Sequence, residues 1–255
     1  MSDLAPGSWL RRYFPSPEAA VRLVCFPHAG GSASFYRPVA SAHSTHADVV
    51  VLQYPGRQDR HRHPFIETID DYADAITSVL ASEPELPTAF FGHSMGATLA
   101  FEVAHRLELG AGRPPRALIV SGRRAPGTVR EERVHESDDE GLLAELRRLN
   151  GTGAALDDEE IVRMSLPAIR NDYKAIETYP PRPNRSVSCP VWALVGDDDP
   201  KTTVDEALRW KHHTSALFGM RTFPGGHFYL TEHASAVNAE IRKRLDELEQ
   251  PASSR

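Results

Sequence analysis

Short apolar runs recur along the chain, separated by longer amphipathic stretches. A β-branched run over 21–26 ends at Pro27, and another over 48–54 is stopped by Pro55 and Gly56. Further runs at 88–91, 117–120, 191–195 and 217–223 are likewise short and bounded by Gly, Pro or polar residues. Such runs read as strands. Between them, 34–44, 69–80, 97–109, 204–215 and 233–248 carry helical patterns, with Gly110 and Gly112 as stop signals after the third. Strands that alternate with helices predict a parallel sheet with crossover helices.

The alternation lapses between 124 and 187, where no strand pattern is found. Ser137-Asp138-Asp139-Glu140 reads as a capping box ahead of Leu142, Leu143, Leu146 and Leu149. Val162, Leu166, Ile169, Tyr173 and Ile176 follow at spacings of 4, 3, 4 and 3, one apolar helical face. Pro167 within that face predicts a break, with the helix restarting close to it. The whole block, 124–187, is expected to be a helical lid inserted into one domain spanning 1–255. Its apolar face must pack on the core or cover a pocket. The tail 251–255 is expected to fray.

Composition narrows the class. The chain has 255 residues, 40% hydrophobic and 25% charged, enough for a core without a disulfide or metal staple. A formal charge of -6 argues against general nucleic-acid binding. Cys25 and Cys189 lie in or beside strand runs and show neither zinc nor redox spacing, so both read as small buried hydrophobes. The stretch 1–14 is polar and has no signal-peptide pattern, and no run approaches membrane-span length. A cytoplasmic protein with no cofactor is the expectation.

The chemistry is concentrated in Gly92-His93-Ser94-Met95-Gly96, which fits G-x-S-x-G between a predicted strand and a predicted helix. A nucleophilic serine needs that setting, because it sits on a tight strand-to-helix turn of an α/β-hydrolase sheet. Its hydroxyl also needs a base. In the chain order of this fold, an acid and then a histidine follow. Asp197, Asp198 and Asp199 lie just past the 191–195 run, and His227 lies in the glycine-rich loop after 217–223. The residues alone leave the three aspartates open. His61, His63, His93, His212 and His213 read as structural or solvated. An oxyanion hole requires two backbone N–H groups. Met95, directly after the serine, is one candidate, and Ala29 in Pro27-His28-Ala29-Gly30-Gly31 is the other.

Cys25-Phe26-Pro27-His28-Ala29-Gly30-Gly31, Tyr54-Pro55-Gly56-Arg57, the serine pentapeptide, Gly196-Asp197-Asp198-Asp199-Pro200 and Gly226-His227-Phe228 together resemble the type II thioesterases of polyketide and nonribosomal peptide synthetases. Arg170-Asn171-Asp172 with Glu177 and Tyr179 is similar to that family's lid. The resemblance covers nearly the whole chain. It implies the α/β-hydrolase fold and hydrolysis of acyl groups from the phosphopantetheine thiol of acyl or peptidyl carrier proteins. By position it implies a triad of Ser94, Asp199 and His227, with Ala29 and Met95 as oxyanion donors. A small-molecule carboxylesterase or lipase using the same triad is the alternative. The opening methionine, with no carrier-like linker ahead of it, is expected of a free-standing enzyme. Arg57, Arg60, Arg62, Arg123, Arg124 and Lys201 follow strand ends, so a cationic rim facing an acidic carrier is also expected.

Overall fold

The computed structural model describes residues 6–149 and 159–249. The elements in chain order are α1 (Pro6–Trp9), β1 (Leu10–Arg11), β2 (Arg22–Phe26), α2 (Arg37–His43), β3 (Asp48–Leu52), α3 (Ile69–Ala81), β4 (Thr88–His93), α4 (Met95–Ala111) and β5 (Ala117–Ser121). After these come α5 (Asp139–Leu149), α6 (Glu159–Glu177), β6 (Val191–Gly196), α7 (Val204–Leu208), β7 (Phe218–Phe223), α8 (Tyr229–Glu232) and α9 (Ala234–Glu249). The strands form one sheet in the order β1-β3-β2-β4-β5-β6-β7. Every neighbouring pair is parallel except β1 with β3.

The sheet is covered on both sides, which is why its strands read as continuous apolar runs. Every residue of β2, β3 and β5 is buried. Val24, Val50 and Phe90 face one layer that includes α3 and α4. Leu23, Val51 and Phe91 face the other, which includes α9. The chain moves outward from β2 to β3, then returns to β4 on the far side of β2. That reversal opens a crevice between the carboxyl ends of β2 and β4, where open α/β sheets hold their ligands.

The predicted strands and most helices are present, with differences at four places. β1 is new: two residues carry no periodicity, yet the Gln53 N–H donates to the Trp9 carbonyl at 2.7 Å and Trp9 is buried. The predicted helix over 204–215 is shorter, passing after Leu208 into a 3-10 turn. The cap of α5 is Asp138 rather than Ser137, since the Asp138 Oδ1 accepts the Gly141 N–H at 2.8 Å.

The break expected at Pro167 does not occur, and α6 runs through it. Pro167 lies on the exposed side, where water can satisfy the carbonyl that loses its partner. On the opposite side Val162, Leu166, Ile169 and Tyr173 pack with Leu142, Leu143 and Leu146 of α5. Burying such side chains is worth about 1.5–3 kcal/mol each. Together they outweigh the roughly 3 kcal/mol that an interior proline costs. Cys25 and Cys189 are free and buried, as read from the sequence. The tail 251–255 lies outside the described residues, and no helix among those described is long and apolar enough to cross a membrane.

Candidate active site

Ser94 stands between β4 and α4 with φ 54° and ψ -120°. Positive φ is uncommon for a residue with a side chain, and among the described non-glycine residues only Gln58 shares it. The flanking glycines permit the turn. A Cβ on Gly92 would lie 2.2 Å from the Gly96 carbonyl oxygen, and one on Gly96 would lie 2.0 Å from that of Phe26. The Ser94 N–H donates to the Ser121 carbonyl at 2.8 Å, fixing the turn against β5.

His227 reaches the serine from the loop after β7. Its Nε2 lies 3.0 Å from the Ser94 Oγ, and its Nδ1 lies 3.0 and 2.9 Å from the two carboxylate oxygens of Asp199. A carboxylate there accepts from Nδ1–H and leaves the Nε2 lone pair facing the serine hydroxyl, the tautomer a general base needs. The Asp199 Oδ1 also accepts the Lys201 N–H at 2.8 Å. Asp197 turns the other way and accepts the Gly225 N–H at 2.9 Å, joining the acid loop to the histidine loop. Asp198 is exposed.

Two further histidines crowd this centre. The His93 ring lies tilted against that of His227, 4.9 Å between centroids, and its Nδ1 lies 2.9 Å from the Ser121 Oγ. His28 meets the Phe228 ring edge-on at 4.9 Å. Burial, reinforced by His227 and Arg57, pulls the His28 pKa down to about 3. Burial and the neighbouring histidines hold His93 well below its ordinary value. Both are therefore neutral, and His227 is the one that meets a carboxylate.

The Pro27-to-Gly31 loop passes beside Ser94. The Gly30 N–H donates to the Asp172 Oδ2 at 2.8 Å and the Gly31 N–H to the His28 carbonyl at 2.9 Å. Among the described residues none accepts from the Ala29 N–H. Met95 opens α4, where an N–H has no carbonyl one turn earlier in the helix to bond. A narrow, solvent-open pocket, with about 640 Å³ of empty space when the open solvent at its mouth is counted, runs from Ser94 and His227 to Leu149, Ile169, Tyr173 and Ile176. A larger groove of about 1120 Å³ lies at the opposite, amino-terminal ends of the strands, bordered by Arg22, Thr88 and Arg116, away from any of this chemistry.

The expected cationic rim is largely turned inward. Arg57 is buried on Asp172, with Nη1 to Oδ2 at 2.7 Å and Nη2 to Oδ1 at 3.0 Å. Arg60 stacks over the Trp9 ring at 4.4 Å. Arg124 and Lys201 share Glu132, at 2.5 and 2.7 Å, and their charge drives the Glu132 pKa down to about 2 despite its burial. Arg123 borders the cavity and donates Nε to the Thr98 Oγ1 at 3.1 Å. Of the six, Arg62 is the exposed one. For Arg57 and Arg124 the inward turn is matched by a fixed carboxylate that accepts from the planar guanidinium.

Sequence reading missed the pairing of Arg57 with Asp172, although a signal was present. Asp172 lies three residues after Ile169 and four before Ile176, so it falls on the apolar stripe of α6. A charge on such a stripe requires a buried partner.

A family model described as the thioesterase domain matches residues 21–245. A probable cadicidin biosynthesis thioesterase of Streptomyces griseus is 58% identical over 246 residues, covering 96% of this chain and 68% of that protein. Thioesterase PikA5 of Streptomyces venezuelae is 47% identical, covering 94% of this chain and 86% of that protein. Among solved structures, the type II thioesterase BorB from the borrelidin biosynthetic cluster superposes with a TM-score of 0.88 at 51% identity, covering 93% of this chain and 97% of that one. The sheet order, the serine turn and these similarities converge: the chain belongs to the thioesterase family, is similar to its type II members along most of its length, and is a thioester hydrolase of the α/β-hydrolase fold.

Proposed function

We propose that Ser94, His227 and Asp199 are nucleophile, base and orienting acid, with the Ala29 and Met95 N–H groups as oxyanion donors. The observation that carries this is His227, which spans Ser94 at 3.0 Å and Asp199 at 2.9 Å beside a loop whose Ala29 N–H has no acceptor among the described residues. Ser94 Oγ attacks the thioester carbonyl as His227 Nε2 takes its proton. The two N–H groups receive the charge on the tetrahedral oxygen. Collapse expels the thiolate, which collects the proton from His227 and leaves an acyl ester on Ser94. Water, activated by the same histidine, then releases the acid and restores the serine.

The proposed substrate is an acyl group on the phosphopantetheine thiol of an acyl or peptidyl carrier protein. Its removal would clear stalled chains from a polyketide or nonribosomal peptide synthetase in the cytoplasm. The names of the relatives, drawn from biosynthetic clusters of such products, support this reading. So does the cavity, whose far wall of Leu149, Tyr173 and Ile176 suits an acyl chain. The helices between β5 and β6 would act as its lid.

The test is a substrate panel with the wild-type protein and Ser94→Ala. Acyl-carrier thioesters are expected to turn over faster than aryl esters, and Ser94→Ala should lose turnover while keeping its fold by circular dichroism. A residual rate of about 10³–10⁴ over water is expected from the oxyanion hole and binding alone. Faster turnover of aryl esters would favour a carboxylesterase, and a fully active Ser94→Ala protein would refute the nucleophile.

A further inference from the structure

We propose that Asp172 is a positioning residue for the oxyanion hole, so that the hole exists only while α6 is seated on the loop after β2. The inference rests on the reading of Ala29 as an oxyanion donor. It starts from the four donors that converge on one buried carboxylate. The Asp172 Oδ2 accepts from the Gly30 N–H at 2.8 Å and the Arg57 Nη1 at 2.7 Å, while Oδ1 accepts from the Arg57 Nη2 and the Tyr72 hydroxyl, both at 3.0 Å. The Arg57 Nη1 also donates to the Gly31 carbonyl at 3.0 Å.

The ion pair therefore grips the loop on both sides of Gly30. With the Gly30 N–H held by Asp172, the peptide plane that follows Ala29 is fixed, and with it the direction of the residue whose own N–H faces the reacting carbonyl. Gly30 has φ +74°, and a Cβ there would lie 2.5 Å from the Ile169 Cγ1. The same helix thus touches the loop twice, through the Asp172 carboxylate and the Ile169 side chain. Arg57 has a second effect. A lone carboxylate one residue from the oxyanion donor would repel the charge that develops in the transition state, and the bidentate guanidinium neutralises it. Neither side chain touches substrate. Both act through the backbone of residues 29–31.

The experiment compares wild-type protein with Asp172→Asn, and with the pair Arg57→Leu and Asp172→Leu, which removes both charges together. Replacing a buried ion pair by apolar residues is often neutral where one lone charge is not tolerated, so the pair carries the test if Asp172→Asn does not fold. The substrate is a propionyl thioester of N-acetylcysteamine, and the probe of the hole is an alkyl trifluoromethyl ketone, which forms a tetrahedral adduct on the serine. We expect kcat to fall about 100-fold, the scale of a group misplaced by about 1 Å, with KM within about threefold. Affinity for the ketone should fall by the same factor as kcat/KM. A folded variant with kcat within twofold of wild type would overturn the proposal. So would a ketone affinity that falls no more than substrate binding does, which is the pattern of a purely structural residue. Failure of the functional reading shows differently: the ketone would then form no adduct on Ser94 of the wild-type protein, and its affinity would be the same in Ser94→Ala, which would remove this inference with it.

Discussion

Asp197, Asp198 and Asp199 are adjacent and chemically alike, yet each faces a different environment. Asp199 is buried against His227, Asp197 bonds the Gly225 N–H, and Asp198 points to solvent. Single Asp→Asn variants should separate them. Asp199→Asn should lower kcat most, up to about 10⁴-fold, because an amide no longer enforces the right histidine tautomer. Asp198→Asn should change little, and Asp197→Asn should cost less than Asp199→Asn because an amide oxygen still accepts from Gly225. A larger loss in Asp197→Asn than in Asp199→Asn would reassign the acid. The sequence narrowed the acid to three residues because a strand end followed by acids is a readable pattern. The residues alone did not rank them, since which side chain turns inward depends on the turn geometry after β6; the preference for Asp199 came from the family resemblance. Asp172 was read only as part of a lid-like motif, although it is also a misfit on an apolar stripe, and its partner Arg57 is 115 residues away in the chain. No local spacing encodes a contact of that separation.

At the scale of elements, the block between β5 and β6 divides. The carboxyl half of α6 is fastened to the body by Asp172, by Asn171 Nδ2 on the Ile66 carbonyl at 2.7 Å and by the Tyr179 hydroxyl on Glu102 just beyond the helix. Leu142, Leu143 and Leu146 of α5 pack with α6 in a small separate cluster, so that its ties to the body are Leu149, at its end, and the ion pair of Glu145 with Lys201 at 2.9 Å. Hydrogen exchange should therefore be faster in α5 than in residues 170–177 of α6, whose protection should approach that of the sheet. Equal rates in the two helices would mean that the block opens as one unit. The helical character of this block was readable from its apolar spacing, but its continuity was not. Pro167 argued for a break because propensity is a local quantity, whereas the face that holds α6 together is tertiary.

Across the whole molecule, strand and helix alternation was enough to predict a parallel sheet, but not the place where the strand order reverses. That place is set by which edge of β2 each neighbour takes, and it puts Ser94 beside the Pro27 loop. The packing there has a cost that depends on pH. His28 has a pKa near 3 in the folded protein and His93 one well below normal, against 6.5 when unfolded. As pH falls below 6.5 the unfolded chain binds protons that the folded one refuses, so stability is fully present above that value and is lost below it. At one pH unit below, the loss from His28 is on the order of 1 kcal/mol, and His93 adds to it in the same direction. His43, lowered to about 4 by burial, acts in the same direction. Urea unfolding at pH 7.5 and 5.5 checks this, and an unchanged free energy would mean that these rings are protonated in the fold.

The two-residue β1 has a consequence for self-association. β3 ends the parallel part of the sheet with Val49, Val50, Val51 and Leu52 in succession, and an unpaired edge of that kind is a template for another chain. Leu10 opposite Leu52 and Arg11 opposite Val51 occupy it. At the far side of the sheet, no strand among the described residues guards β7 in this way. There, residues 221 and 222 are exposed, and Arg221 is held by Glu240 of α9 at 2.5 Å. One border of the sheet is closed by a few residues of backbone pairing, the other by a charge that an incoming strand would have to strip of its partner and its water.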